Sequence, residues 1–202
     1  GDHTVAFFNR ANSNTTPSIT IDLKAVVPVS RLHLHTVEQS DTAPQGTTSG
    51  FGLPEYLIVE GAQRADFSDA VRLMEYHKTS IYAVGPILVH TFPETPCRYV
   101  RLTALEPHLI QGDQKVWAKV GFAEIELFSH GENVALGKPV TTEFLATYRP
   151  SSLLTDGSNF YGRILSTREW MAQLAQRHEL ERERPPIAAE LSQRYAQQQT
   201  ML

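Results

Sequence analysis

The stretch that decides the fold lies near the centre of the chain and reads Arg98-Tyr99-Val100-Arg101-Leu102-Thr103. Apolar and polar side chains alternate along it, which is typical of a β-strand with one buried face and one face in water. Four further segments are either alternating or almost continuously apolar, namely residues 18–23, 29–35, 56–60 and 122–128. Loops rich in Gly, Pro, Asp, Ser and Thr separate these segments, so they are predicted to form an antiparallel β-sandwich.

The pattern changes to that of a helix after residue 163. Ser166 followed by Glu169 fits a capping box, which predicts that a helix begins near Thr167. Pro185-Pro186 interrupts the pattern. Because proline lacks a donor N–H but is tolerated in a first helical turn, two amphipathic helices are predicted rather than one. The second pattern still runs at Leu202, which indicates a fragment of a longer protein.

The composition is that of an ordinary soluble globular protein and excludes several classes of function. The 202 residues are 41% hydrophobic and 20% charged, and the formal net charge is −4. Such a chain lacks the basic face that binding to nucleic acid or to an anionic membrane surface requires. Cys97 is the single cysteine, so no internal disulfide and no cysteine-based zinc or iron–sulfur site is expected.

Four segments in one order give the chain a resemblance to a known family. They are residues 17–23, ending in Asp22-Leu23, then residues 53–60, residues 97–103 and residues 123–127. Their sequence and order look like those of discoidin domains, also called coagulation factor 5/8 type C or galactose-binding-like domains. The resemblance implies a jelly-roll β-sandwich that binds ligands through loops at one end and performs no chemistry. Its bacterial members are often carbohydrate-binding modules, while other members bind phospholipid or protein, so the resemblance favours a carbohydrate or another small polar ligand.

Residues 133–141 and 153–157 resemble the opening of a second such domain, although residues 1–16 contain no opening for the first. Two alternatives follow. The segment begins an incomplete second repeat, or it folds back, or crosses to a second chain, and completes the first sandwich. The predicted organisation is therefore a discoidin-like sandwich over residues 1–130, a repeat start or fold-back strand over 131–163, and a helical extension over 164–202.

Two loops are predicted to bind the saccharide, because a sugar needs an exposed aromatic ring and a few hydrogen-bonding side chains. They are residues 38–54 and 105–119. The candidate ligand-binding residues in or beside them are His35, Phe51, His108, Asp113, Lys115 and Trp117. An alternative interpretation places Phe51 and Trp117 at the ends of the core, and Asp113 and Lys115 as solvated loop charges.

Two groups of residues are candidate metal ligands. His33 and His35 are predicted to lie on one face of a strand, and a His-x-His pair of this kind is able to supply half of a metal site. The sequence offers no third ligand at suitable spacing, so a solvent-facing pair is the favoured interpretation. The family resemblance implies a structural Ca²⁺ between Glu124 and the segment of Asp156. These two regions meet only if residues 131–163 complete the first sandwich.

No nucleophile elbow, HExxH motif or phosphate-binding loop is present, so the chain is not expected to be an enzyme. Glu124 and Glu126 share one strand face but are expected to be structural rather than a glycosidase pair. The predicted function is a carbohydrate-binding module of a larger extracytoplasmic or membrane-anchored bacterial protein. The alternatives are a sensor domain of a histidine kinase-type receptor and a protein-interaction or dimerisation domain. A homodimer would form through the C-terminal helices or by strand exchange.

Overall fold

The computed structural model describes residues 5–9, 16–36, 53–78, 87–111, 116–142, 150–159 and 162–199. The chain divides into two compact units, Gly1–Arg163 and Ile164–Leu202. Strands make up most of the described part of the first unit, and the second unit is helical. The fold class predicted from the alternating pattern, an antiparallel β-sandwich followed by a C-terminal helical extension, is therefore confirmed.

The described elements follow one another along the chain in a simple order. The strands are β1 (Val5–Asn9), β2 (Ser18–His35), β3 (Tyr56–Ala62), β4 (Val71–His77), β5 (Ile87–Glu106), β6 (His108–Gln111), β7 (Val116–Phe122), β8 (Glu124–Ser129), β9 (Glu132–Asn133), β10 (Val140–Thr142), β11 (Ser158–Asn159) and β12 (Gly162–Arg163). A short 3₁₀ helix covers Ser151–Leu154 between β10 and β11. The helix α1 covers Thr167–Gln199.

All the strand pairs in the described sheets are antiparallel. The larger sheet has the order β4-β3-β5-β2-β8-β9, and β10 also pairs with β2. A second sheet has the order β1-β7-β6, and β11 and β12 form a hairpin. The apolar core includes side chains from both of the larger sheets, among them Leu32, Leu57, Leu102, Phe122 and Ile125.

Alternation along the strands decides which side chains are buried. Apolar residues of β2 and β5 lie in the core, and the polar or aromatic residues between them lie on the outer face with partial exposure. The buried members are Ile19, Ile21, Val100 and Leu102, and the partly exposed members are Thr20, Asp22, Tyr99 and Arg101. Because the period is two, these polar and aromatic side chains share the outer face of the paired strands.

Strand β2 is divided by an irregularity in its pairing between Asp22 and Val27. Lys24 in this interval has φ of +70°, the left-handed region, and its N–H donates to Asp22 Oδ1 at 2.8 Å. On one side, β5 pairs with both halves of β2. On the other side, β10 pairs with the first half and β8 with the second half. The two halves of β2 therefore share one neighbour, β5, and differ in the other.

The described residues of the segment 131–159 pack against the larger sheet of the same chain. Val140 pairs with Ile21, which places β10 beside the first half of β2. Ala135 and Leu154 are fully buried in the core of this unit. The Thr155 hydroxyl donates to the carbonyl of Lys138 at 2.8 Å and is buried as well. These contacts correspond to the fold-back alternative, within one chain. The origin of the segment as the start of a repeat stays a prediction.

The helix α1 begins where the capping box placed it. The Ser166 hydroxyl accepts the N–H of Glu169 at 3.2 Å, and the Glu169 carboxylate accepts the N–H of Ser166 at 3.0 Å. The prediction of two helices is wrong, because α1 continues through Pro185 and Pro186. The residues around the prolines are exposed, so the carbonyls that lose their helical donor there are open to water. Within the described residues no helix has the length and apolar composition that crossing a membrane requires.

Candidate functional site

Three of the predicted saccharide ligands, Phe51, Asp113 and Lys115, lie outside the described residues. The region 105–119 is not a single loop, because residues 108–111 and 116–122 form the paired strands β6 and β7. His108 pairs with Lys119 and Trp117 with Ile110 across this hairpin. The apolar and β-branched residues of the two segments account for the difference, since they are typical of strands rather than of an open loop.

His35 does not agree with the prediction of an exposed sugar contact. Its side chain is 2% exposed, and its ring is held on both sides. Nε2 lies 2.9 Å from Glu126 Oε2, and Nδ1 lies 3.2 Å from the amide nitrogen of Asn159. His35 is the last residue of β2, where β8 and the β11–β12 hairpin both reach it. It is therefore part of a buried polar cluster.

This cluster contains a third candidate metal ligand that the sequence did not reveal. His33 Nδ1 lies 3.2 Å from Glu126 Oε2, the same oxygen that His35 approaches. One ligand atom from each of the three residues lies within 4.8 Å of the others. The interpretation of a solvent-facing histidine pair is wrong, because β8 places Glu126 directly opposite His33. The strand register brings these residues together, and no spacing rule along the chain indicates that register.

Glu126 is held as a carboxylate by its neighbours. Burial alone raises its pKa, but hydrogen bonds from His33 and His35 more than offset this and hold the pKa at about 2. A carboxylate only accepts hydrogen bonds, so the ring nitrogens that face it carry hydrogens. The other oxygen, Oε1, accepts from the Asn133 amide at 3.4 Å. Glu126 is therefore negative and fixed in place.

Glu124 lies two residues earlier on β8 in a different environment. It is fully buried, and its Oε1 accepts the N–H of Gly157 at 2.9 Å. Its Oε2 is buried and has no hydrogen-bond partner among the described residues. Burial raises the pKa of Glu124 to about 8, and the charges of Asp156 and Glu126 add to this effect. The closing strand and the Asp156-Gly157 segment thus meet, as the calcium hypothesis requires.

A groove lies on the outer face of the sheet, where β10, the first half of β2 and β5 are neighbours. Its volume is about 460 Å³. Hydroxyl, charged and aromatic side chains share its lining, and these are Ser18, Thr20, Asp22, Lys24, Phe67, Tyr99, Arg101, Thr141 and Thr142, together with Ala65 and Pro139. This surface was not among the sites predicted from the sequence, although the alternation in residues 18–23 and 98–103 predicts that its polar members share a face.

The charged groups of this sheet-face groove are fixed by ion pairs. Arg98 Nε lies 3.0 Å from Asp22 Oδ1, and Lys24 Nζ lies 3.1 Å from Asp22 Oδ2. The hydrogen bond from Arg98, opposed by partial burial, holds the pKa of Asp22 well below its usual range. On the other side, Arg101 pairs with Glu60 at 2.9 Å.

Aromatic rings lie beside these charges. The Arg101 guanidinium stacks over the Phe67 ring with 4.0 Å between its central carbon and the ring centroid. Phe67 lies in the loop between β3 and β4 and has φ of +57°, and its ring centroid is 6.4 Å from that of Tyr99. The groove therefore offers fixed charges, hydroxyls and two aromatic surfaces.

No protein-family model matches the chain, and no curated protein matches it. The solved structures that it resembles include carbohydrate-binding modules and a lectin domain. One is CBM32-3 of a family 31 glycoside hydrolase from Clostridium perfringens, at 18% identity and a TM-score of 0.45 over 64% of this chain and 78% of that chain. Another is the lectin domain of lectinolysin complexed with Lewis B antigen, at 15% identity and a TM-score of 0.39 over 61% of this chain and 71% of that chain.

A third is chitosan-binding module 1 of a chitosanase/glucanase from Paenibacillus sp. IK-5, at 14% identity and a TM-score of 0.39 over 59% of this chain and 74% of that chain. These proteins are of the type that the sequence resemblance indicated.

Proposed function

We propose that the chain is a non-catalytic module that binds a saccharide in the sheet-face groove. The observation that carries this proposal is the pairing of aromatic and hydrogen-bonding groups in one open surface. Tyr99 and Phe67 supply apolar rings, while Asp22, Thr20 and Thr141 supply polar groups beside them. A sugar ring has an apolar C–H face and a rim of hydroxyls, so it needs both kinds of contact at once.

Three described acidic residues support a binding role rather than glycoside hydrolysis. A glycosidase needs two carboxyl groups that flank a bound substrate. Glu124 and Glu126, the pair considered from the sequence, are both buried and bonded to neighbouring protein groups. Asp22 is open to the groove, but its carboxylate is engaged by Arg98 and Lys24. An extracytoplasmic setting, a sensor role and homodimerisation through α1 or by strand exchange stay predictions.

Replacing Tyr99 tests the groove directly. The wild-type chain is screened on a glycan array, and the strongest ligand is then titrated by calorimetry. We expect Tyr99→Ala to weaken binding about tenfold, equivalent to about 1.4 kcal/mol, because an aromatic surface under the sugar ring is lost. Tyr56→Ala is the matched control, since Tyr56 lies on β3, stacks on His77 and does not line the groove.

Two results would contradict the proposal at different levels. Wild-type affinity in Tyr99→Ala, with loss of binding in Phe51→Ala or Trp117→Ala, would move the site to the loops predicted from the sequence. An array on which no saccharide binds would reject the saccharide function itself. Circular dichroism of each variant separates a lost contact from a lost fold.

We propose in addition that Glu124 binds Ca²⁺ together with carbonyl oxygens of the segment around Asp156. The buried Oε2, which has no hydrogen-bond partner in the part of the chain that the structure describes, supports this, because a cation beside it would satisfy a charge that burial otherwise disfavours. Ca²⁺ takes six to eight oxygen ligands, and a carboxylate beside a loop rich in carbonyls is a suitable start of such a site.

Calcium should therefore raise the melting temperature of the wild-type chain. At ten times the dissociation constant, the expected stabilisation is about 1.4 kcal/mol, or roughly 3–6 °C. Glu124→Gln should remove the response, because the neutral amide no longer attracts the ion. Glu75→Gln, a change of the same kind at an exposed position, should keep it. An equal response in Glu124→Gln and the wild type, or none in the wild type, would contradict the site.

A further inference from the structure

We propose that His33, His35 and Glu126 form a binding site for a divalent transition-metal ion, with Zn²⁺ as the natural occupant. The site lies between the second half of β2 and β8, separate from the groove. It takes a different class of ion from the site at Glu124. It does not depend on the saccharide function.

The strand register brings the three ligands to one place. His33 and His35 are two residues apart on β2, so both project from the same face. Glu126 is the register partner of His33 on the adjacent strand. Because two neighbouring strands of a hydrogen-bonded sheet hold all three residues, their backbone positions are fixed before any ion arrives. This is the kind of rigid support that a metal site needs.

The two distances from Glu126 to the histidine nitrogens are close to the ligand–ligand distances of a zinc site. Tetrahedral zinc with bonds of about 2.0–2.2 Å to N and O places its ligand atoms about 3.3 Å apart. Glu126 Oε2 is 2.9 Å from His35 Nε2 and 3.2 Å from His33 Nδ1. Shifts of a few tenths of an ångström correct these two contacts. The two ring nitrogens, which lie within 4.8 Å of each other, have to approach to about 3.3 Å. The ion takes the place of the two hydrogens that the rings donate to the carboxylate, and each neutral ring then carries its hydrogen on its other nitrogen.

The neighbours of the ligands hold them in position. Asn133 donates to Glu126 Oε1, and its own amide oxygen accepts the N–H groups of Leu127 and Ala135, so its orientation is fixed. The Asn159 amide lies 3.2 Å from His35 Nδ1. When Nε2 binds a metal, Nδ1 carries the hydrogen, and a half-turn of the Asn159 amide presents its oxygen as the acceptor. Such partners fix the tautomer of metal-bound histidines.

The donor set selects the class of ion. Two imidazoles and one carboxylate suit Zn²⁺, Co²⁺, Ni²⁺ or Cu²⁺, whereas Ca²⁺ and Mg²⁺ prefer oxygen ligands alone. Three protein ligands leave a fourth position for water. The His33 side chain is 20% exposed, so solvent reaches the cluster from its side. The ring of His33 packs against Phe128, with 4.5 Å between the centroids.

The test measures zinc affinity of the full chain by competition with a chromophoric chelator, after removal of bound metal. We expect one Zn²⁺ per wild-type chain. His33→Asn and Glu126→Gln should each lower the affinity at least tenfold. His77→Asn, a change at an exposed histidine outside the cluster, should leave it unchanged. Near-ultraviolet circular dichroism establishes that each variant is folded.

A second measurement uses only the wild-type chain, so it does not depend on the folding of a variant. Bound Co²⁺ should show the intense visible absorption of a four-coordinate site, and Zn²⁺ should displace it while excess Ca²⁺ should not. The weak absorption of six-coordinate Co²⁺ would overturn the proposal. So would the absence of stoichiometric zinc uptake, or an unchanged zinc affinity in both variants.

Discussion

Leu154→Ala is expected to lower the free energy of unfolding by about 2–5 kcal/mol, the usual effect of replacing a fully buried leucine by alanine. Leu154 is 0% exposed and belongs to the same core as Ile21 and Leu32. The substitution removes three buried carbon atoms and leaves a cavity that the surrounding strands fill only in part. The change is measured by urea unfolding followed by circular dichroism, with the same m-value fitted to the wild type and the variant.

This result distinguishes the fold-back arrangement from a dangling repeat start. If the segment did not complete the first sandwich, Leu154 would not be buried in its core. Leu154→Ala would then change the free energy of unfolding by less than about 0.5 kcal/mol. Leu136→Ala is the matched control, because it is the same change in the same segment at a side chain that is 54% exposed. Equal effects of the two substitutions would contradict the packing of Leu154.

Gly61→Ala is expected to destabilise the protein by about 2–3 kcal/mol, in the upper part of the range for overpacking a core. Gly61 lies on β3 between β4 and β5. A β-carbon at this position would lie 2.5 Å from Cys97 Sγ and 3.0 Å from Leu73 Cδ1. Neither neighbour moves away at low cost, because both are buried, and the Cys97 thiol also donates to the Thr95 carbonyl at 3.1 Å.

A double-mutant cycle with Cys97→Ala identifies the cause of this effect. In the Cys97→Ala background the sulfur is gone, and Gly61→Ala should then cost at least 1 kcal/mol less than in the wild type, by the usual size of coupling between contacting residues. Thermal unfolding of the four proteins gives the coupling energy. If the cost of Gly61→Ala is the same in both backgrounds, the contact with the sulfur is not its cause.

Local patterns predicted the elements of this fold well. The alternation in residues 18–23 and 98–103 is a period-two signal, and it placed Ile21 and Val100 in the core. The capping box depends on two residues three positions apart, so it fixed the start of α1 from sequence alone. In both cases the interactions that decide the structure lie within a few residues of one another.

Features that depend on distant contacts were not predictable in this way. Glu126 is 93 residues from His33 in sequence, and only the register of β2 and β8 makes it their common partner. The groove requires β10, β2 and β5 to be neighbours, and the hydrophobic pattern within each strand does not predict which strands pair. Local patterns were also misleading in one place. The preference of proline for the first turn of a helix predicted a break at Pro185-Pro186, but α1 continues through both residues.

The pairing of β10 with β2 has a consequence for the order of events during synthesis. Thr141 and Thr20 are 121 residues apart, and native contacts of such long range slow folding. At about 5–20 residues per second, roughly ten seconds separate the emergence of these two strands from the ribosome. During that interval the first half of β2 lacks its β10 partner, and its exposed edge is open to pairing with other nascent chains. Chaperone demand in the cell should therefore be greatest before β10 has emerged from the ribosome.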